Sequence, residues 1–228
     1  MKQTTVFLSS ILALAALVAP SARASVLYDN DFGGLISGDH ASEDAWGFDA
    51  IEQYSIVNSF SLAATSSLGG VNIYVAIPAG DTVTALDWSI LDNSDPTDPF
   101  TANVLYGGVV TLPAATFIKT VAYGSIYELS FTISTGALTG GTTYWLELSG
   151  ATDTLGQPVD WDQSDGPSTA YRMNGLGQVY QLPNGEVCQG LCTGSESFQL
   201  LSTPEPGTMA LLFGGLIGIA ALRRRARS

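Results

Sequence analysis

Apolar and polar residues alternate along most of the chain between its two ends. A period of two residues places successive side chains on opposite faces of a β-strand. The alternation is clearest in three runs: Val71, Ile73, Val75 and Ile77; Leu86, Trp88 and Ile90; and Tyr127, Leu129, Phe131 and Ile133. Weaker strand patterns cover residues 54–62, 104–112, 117–123, 143–149, 177–182 and 197–201. Helical periodicity is nearly absent from this part of the chain, so the pattern predicts strands.

Turn-forming residues separate these predicted strands. Gly, Pro, Asn and Asp cluster at residues 78–81, 93–99, 140–141 and 183–185. Short strands divided by such turns are typical of an antiparallel β-sandwich or jelly roll. We therefore predict an all-β body over residues 25–202. Trp88 and Trp145 lie within strand patterns, and we expect both in its core.

The N-terminal end has the three parts of a secretory signal peptide. Lys2 supplies the positive charge, residues 6–19 form the apolar run, and Ala22 and Ala24 provide small residues for cleavage. The apolar run is shorter than the ~20 residues that a membrane span requires. We predict a signal-peptide helix over residues 1–24, removed by signal peptidase after Ala24.

The C-terminal end, residues 203–228, also has three parts. Pro204, Glu205 and Pro206 form a stiff extended tripeptide that presents its carboxylate. Residues 209–222 are uncharged and predict a transmembrane helix about 21 Å long, which is short for a hydrocarbon layer of about 30 Å. The terminal cluster Arg223, Arg224 and Arg225, with Arg227 beyond it, favours a cytoplasmic end, with the body on the outer side.

Charge is distributed unevenly between the ends and the body. The body has two basic residues, Lys119 and Arg172, against 20 acidic ones, so its net charge is about −18. Such a surface repels phosphate backbones, so we exclude nucleic acid as a partner. It is compatible with solubility, with divalent cations and with neutral sugars.

The tail resembles a known sorting signal. Its Pro204-Glu205-Pro206, apolar helix and terminal arginines closely resemble the PEP-CTERM signal of bacteria that make extracellular polysaccharide. This resemblance implies recognition by an exosortase, a membrane-embedded transpeptidase-like enzyme. The protein would pass through an inner-membrane intermediate, held by its C-terminal helix, and reach the cell surface or extracellular matrix. The alternative is an ordinary single-span anchor. The body resembles lectin-like and carbohydrate-binding-module-like sandwiches through residues 86–90, 144–148 and 161–164.

Trp161 is the candidate ligand-binding aromatic residue. It lies between Asp160 and Asp162 in a segment whose composition predicts a polar loop. An exposed indole could stack on a sugar ring while the carboxylates accept hydrogen bonds from its hydroxyls. Alternatively, Trp161 folds inward and closes one end of the sandwich.

Two further groups are candidates for a metal site and a disulfide. Asp92, Asp95 and Asp98 offer oxygen ligands for calcium in one loop, without the spacing of an EF-hand. The alternative is that these carboxylates are solvated loop charges. Cys188 and Cys192, the only two cysteines of an exported chain, predict a disulfide that stiffens a hairpin tip. No other cofactor is expected.

Signals for catalysis are few. The single histidine, His40, lies in a polar stretch, and no Gly-x-Ser-x-Gly motif occurs. We therefore expect a non-catalytic module that binds or organises exopolysaccharide. The alternative is an extracellular glycan hydrolase, because two of the 20 carboxylates could form an acid–base pair.

Overall fold

A computed structural model of the protein describes residues 24–30, 49–51, 53–112, 115–121, 124–162, 166–181 and 195–203. Fourteen β-strands follow one another within these residues. They are β1 (Val26–Asn30), β2 (Asp49–Ala50), β3 (Ser55–Ser61), β4 (Ser66–Ile77), β5 (Val83–Leu91), β6 (Val104–Thr111), β7 (Thr116–Val121), β8 (Gly124–Thr132), β9 (Ala137–Leu138), β10 (Thr143–Asp153), β11 (Asp160–Trp161), β12 (Ala170–Met173), β13 (Val179–Gln181) and β14 (Phe198–Ser202).

The strands form two antiparallel sheets. In sheet I, β4 pairs with β14 and β11 along one side and with β8 and β9 along the other. β1 extends this sheet beyond β14, β2 beyond β11, and β7 beyond β8. Sheet II has the spatial order β13-β12-β3-β10-β5-β6. The part of the chain that the structure describes contains no α-helix, and the all-β prediction for the body is confirmed.

One hydrophobic core joins the inner faces of the two sheets. The predicted inward residues of β4 and β5 are buried there, with Leu129 and Phe131 of β8, Ile56 and Phe60 of β3, and Leu146 and Leu148 of β10, whereas the predicted Tyr127 of β8 is only partly buried. Removing a Leu or Ile side chain of this kind from water stabilises the fold by about 1.5–3 kcal/mol. Two antiparallel sheets around one shared core form a β-sandwich, and Trp88 lies in that core as predicted.

A buried polar cluster connects the two sheets at one place. The amide nitrogen of Asn30, at the end of β1, donates to Ser168 Oγ (2.9 Å) and to the carbonyl oxygen of Glu196 (2.5 Å). The amide oxygen of Asn58 in β3 accepts from Ser168 Oγ (3.1 Å) and from the backbone N–H of Glu196 (3.0 Å). Because each asparagine belongs to a different sheet, these bonds fix the position of the sheets relative to each other.

The first and last strands of the body are neighbours. β1 and β14 run antiparallel, and the backbone N–H of Ser202 donates to the carbonyl oxygen of Ser25 (2.8 Å). The backbone N–H of Ser25 donates in turn to Ser202 Oγ (2.8 Å). The points where the chain enters and leaves the sandwich are therefore adjacent. Residues Ser25–Thr203 form one compact unit.

Several sequence predictions concern residues outside the described ranges. These are the signal-peptide helix, the C-terminal helix, His40 and the Cys188–Cys192 disulfide, which all stay predictions. Among the described residues, no helix has the length and apolar character needed to cross a membrane.

Candidate functional site

Trp161 lies inside the sandwich. Together with Asp160 it forms β11, which pairs with Ala76 and Val75 of β4 in sheet I. The indole is fully buried, packs edge-on against Phe198 with ring centroids 6.1 Å apart, and donates its Nε1–H to the carbonyl oxygen of Ser197 (2.9 Å). This position agrees with the alternative in which Trp161 folds inward, and it places the residue in a strand and not in the polar loop that the composition predicted.

The same strand pairing determines where the two flanking carboxylates, Asp160 and Asp162, lie. Asp162 is buried, its backbone N–H donates to the carbonyl oxygen of Tyr74 (3.0 Å), and its own carbonyl accepts from Ser197 (2.7 Å). Asp160 is half-buried. Strand pairing draws this segment inward, and the composition of the segment gives no sign of it. The two carboxylates therefore do not flank an exposed ring as the sugar-platform hypothesis required.

The predicted calcium loop uses its carboxylates internally. Asp92 accepts from Ser94 Oγ (2.6 Å), from the backbone N–H of Asn103 (3.1 Å) and from Asn103 Nδ2 (2.8 Å). Asp95 accepts from Thr97 Oγ1 (2.7 Å) and from the backbone N–H of Asp98 (3.1 Å). Among the described residues, no group of three or more acidic, His or Cys side chains could hold a metal ion, so Asp92, Asp95 and Asp98 do not form the predicted site.

These hydrogen bonds shape the pKa values of the loop carboxyls. The hydroxyl of Ser94 and then the amide of Asn103 lower the pKa of Asp92 to about 2. The hydroxyl of Thr97 and the backbone N–H groups of Thr97 and Asp98 lower the pKa of Asp95. Both residues therefore stay ionised at neutral pH, as acceptors that hold the turns of their own loop.

The same loop covers part of the outer face of sheet II. Trp145 of β10 packs there with Val57 and Leu91, and Phe100 and Ala102 from the loop lie against this second cluster. The indole Nε1–H of Trp145 donates to Asn93 Oδ1 in the loop (2.9 Å). Trp145 is buried as predicted, although it is buried under the loop and not between the sheets.

Beyond the covered half, the outer face of sheet II opens into a groove of about 350 Å³. We call it the sheet II groove. Its lining comes from three parts of the chain that the strand order β12-β3-β10 brings together. The residues are Gln53, Tyr54 and Ser55; Ser149 and Gly150; and Met173, Asn174, Gly175 and Gly177. Hydroxyl and amide groups thus surround an open space of the size that small ligands occupy.

Two local backbone features shape the groove. Gly150 has φ +57° beside an irregularity in the β10–β5 ladder, and a Cβ there would lie 2.9 Å from Asp87 Oδ2. At the other wall, Asn174 Oδ1 accepts from the backbone N–H groups of Leu176 and Gln178, both at 3.0 Å. Gly177 completes this β12–β13 turn with φ +74°. A glycine inside a strand pattern, as at Gly150, indicates a β-bulge. This glycine is the one sequence feature that could have indicated the groove.

Two carboxylates stand beside the groove. Burial, as the largest cause, raises the pKa of Glu147, and the nearby Asp87 carboxylate adds to the rise. Hydrogen bonds from Ser55 and Ser89 oppose it. Ser55 lines the groove, and the Asp87 carboxylate lies against its Gly150 wall. Glu147 therefore holds its proton to higher pH than an ordinary glutamate.

A cation lies near the aromatic side of the groove. The guanidinium carbon of Arg172 stands 5.2 Å from the ring centre of Tyr54, which is within the range of a cation–π contact. This contact fixes the orientation of the aromatic ring that lines the groove. Arg172 is also one of the two basic residues of the body.

Comparison with known proteins bears on the tail. A PEP-CTERM protein-sorting motif matches residues 202–225. The chain carries a PEP-CTERM sorting signal. The motif contains Pro204, Glu205, Pro206, Arg223, Arg224 and Arg225, as the sequence predicted. A PEP-CTERM motif implies export, exosortase sorting and delivery to the cell surface. The match begins at Ser202, the last residue of β14. The comparison with curated proteins gives no match.

Proposed function

We propose that the sandwich is a non-catalytic module that binds exopolysaccharide at the cell surface, and that the glycan lies in the sheet II groove. The observation that carries this proposal is the groove itself, an open space of about 350 Å³ on an exported, exosortase-sorted body. Signal peptidase would act at the N-terminal end. A membrane-held intermediate would precede exosortase processing at the C-terminal end.

The chemistry of the lining supports a saccharide ligand. Ser55 and Ser149 offer hydroxyls, Gln53 offers an amide, and Tyr54 offers the edge or face of a ring. Sugars present many hydroxyls with apolar faces between them, so donors, acceptors and an aromatic surface recognise them together. The acidic body disfavours polyanions, which points to a neutral glycan.

Filling the groove tests this proposal. Gly175 lines the groove and has no left-handed φ, and a Cβ added to it would meet no described atom within 4 Å. Gly175→Trp therefore adds bulk to the groove without backbone strain. We expect it to weaken binding of host exopolysaccharide by at least about tenfold, or about 1.4 kcal/mol. Isothermal titration calorimetry on the mature protein measures the change.

The matched control is Leu176→Trp, which places the same side chain on the adjacent, largely exposed residue outside the groove lining. Its affinity should stay within about twofold of the wild type. If both variants bind like the wild type, the groove is not the glycan site. If the wild-type protein binds no glycan, the binding function itself is wrong, and an adhesive or structural matrix role replaces it.

A hydrolase is the second candidate function, favoured by Glu147 and Asp87. A carboxyl with a raised pKa, such as that of Glu147, can serve as a general acid, and a second carboxyl near it can serve as the base or nucleophile. Glu147→Gln should then abolish release of reducing sugar from the exopolysaccharide while leaving glycan affinity unchanged. If the wild-type protein binds the glycan and releases no reducing sugar, the hydrolase alternative is excluded.

A further inference from the structure

The last strand of sheet II has an open edge. β6 is eight residues long, pairs with β5, and has no second partner among the described strands. It contains no charged residue and no proline. Its large apolar side chains face solvent, with Val104 62% and Val109 71% exposed. Backbone groups along such an edge are able to pair with another extended strand.

The other sheet ends have features that prevent such pairing. β7 carries Lys119 and a register irregularity in its ladder. β1 carries Asp29 and a similar irregularity, and β13 and β2 are only three and two residues long. Short length, charge and bulges are the usual protections of an exposed edge. β6 also has an irregularity, near Leu105 at the start of its ladder with β5, but its regular part from Tyr106 to Thr111 combines length with neutrality, which the other described edge strands do not.

We propose that β6 is the interface of a homodimer, in which the β6 strands of two copies pair antiparallel and join their two sheets II. A second copy is the partner that fits, because an antiparallel pair of identical strands is self-complementary under a two-fold axis. In a body with a net charge of about −18, β6 itself brings no acidic residue to the interface, and the one carboxylate directly beside Val109 belongs to Asp87 of the neighbouring β5.

The side chains of β6 favour one register, centred on Gly108. Tyr106 and Val110 pack on the core side of the strand, and Gly107 and Val109 alternate with them on the outer side. With Gly108 opposite Gly108 of the other copy, the exposed Val109 lies over Gly107, which has no side chain. On the inner side Tyr106 meets Val110, an aromatic and β-branched pair that stabilises antiparallel ladders.

The charge of the body predicts how salt acts on this dimer. Repulsion between two acidic bodies weakens as the screening length falls from about 30 Å at 0.01 M salt to about 10 Å at 0.1 M. The dimer should therefore dissociate less readily at higher salt. An interface held by surface ion pairs would respond in the opposite direction.

Sedimentation equilibrium of the mature exported protein tests the proposal, with Val109→Glu as the disrupting variant. The matched control is Leu155→Glu, which adds the same charge at an apolar residue that is 58% exposed and lies outside every described strand. We expect a wild-type dimer that tightens between about 0.05 and 0.5 M NaCl. Val109→Glu should raise the dissociation constant at least about tenfold more than Leu155→Glu does.

Three results would overturn the inference. One is a wild-type protein that remains monomeric at about 100 µM in about 0.5 M NaCl. Another is a dimer that Val109→Glu leaves unchanged. The third is equal weakening by the two glutamate variants, which would show a general charge effect and not an edge interface. Far-ultraviolet circular dichroism of each variant confirms that the sandwich is intact, and Val109→Thr, which keeps the strand neutral and β-branched, should dimerise like the wild type.

Discussion

At the scale of single residues, Trp161 has a structural role. Its indole fills the space beside Phe198 and its N–H satisfies the carbonyl of Ser197, so it fastens the start of β14 to β11. Burial of this many atoms together with a satisfied polar group makes the residue costly to replace. Loss of glycan binding in a Trp161 variant would for this reason reflect unfolding and not a missing contact.

Trp161→Ala should lower the free energy of unfolding by about 3–5 kcal/mol, because it leaves a large cavity in the core. Trp161→Phe should cost about 1–3 kcal/mol, since it retains much of the packing and leaves the Ser197 carbonyl without its donor. Urea unfolding followed by circular dichroism measures both. Trp145→Phe is the matched control, and its smaller, peripheral cluster should make it less costly. A Trp161→Ala protein with unchanged stability and lost glycan affinity would restore the stacking hypothesis.

The sequence predicted which side chains are buried only for strands that have one face in the core and the other in solvent. Val71 and Ile73 of β4 lie inside as their alternation indicated. Tyr74 and Ala76, which the same alternation places on the opposite face of the strand, are buried too. Burial raises the pKa of Tyr74 to about 12, with the Glu128 and Asp162 carboxylates adding to the rise. Alternation describes one strand in isolation, whereas burial on both faces depends on what the rest of the chain lays over it.

At the scale of elements, the segment from Asp92 to Asn103 is a cover for Trp145. Asp92 closes it by bonding to both ends, with the backbone N–H of Ser94 at 3.1 Å and that of Asn103 at the same distance. A carboxylate accepts more hydrogen bonds, and stronger ones, than the protonated acid. The cover therefore depends on the ionisation of Asp92.

Acid should open this cover. The pKa of Asp92 falls from 3.8 to about 2 on folding, so its ionisation stabilises the folded state above about pH 3.8 and this stabilisation is lost as the pH falls towards 2. Acrylamide quenching of Trp145, taken as the difference between the wild type and Trp145→Phe, should rise between about pH 4 and pH 2. Asp92→Asn should show higher quenching at neutral pH and a flatter response. Quenching that stays constant over this range would contradict the role given to Asp92.

Among the elements, the strands with an alternating pattern of their own could be predicted, including the short β13 and β14, and the two-residue strands could not. β4, β5 and β8 have alternating patterns of their own, whereas β2, β9 and β11 have two residues each and are defined by the strands they pair with. The groove was not foreseen for a related reason. Its walls come from residues near 54, 150 and 174, which only the strand order of sheet II brings together. The tail was predicted well because a sorting signal is read from local sequence.

At the scale of the whole molecule, replacing Glu205 tests how the PEP-CTERM signal is used. Glu205→Gln should leave a membrane-bound precursor that retains the C-terminal arginines, because exosortase would no longer recognise the motif. Glu128→Gln makes the same chemical change in the body and should leave processing unchanged. Immunoblotting of membrane and surface fractions, with C-terminal peptide mapping, measures the outcome. Surface protein that still ends in Arg227-Ser228 would show a simple anchor instead.

The adjacency of Ser25 and Ser202 has a mechanical consequence. A cell-surface protein attached through its C-terminal end receives the drag of flowing medium at Ser202, where β14 leaves the sandwich. β14 is paired with β1 on one side and with β4 on the other. Tension on β14 is therefore shared by two ladders of hydrogen bonds, whereas an edge strand would be held by only one. Because β1 begins at this same point, the pull is applied where both strands are anchored together. At this end the body should thus yield only when two rows of hydrogen bonds break together.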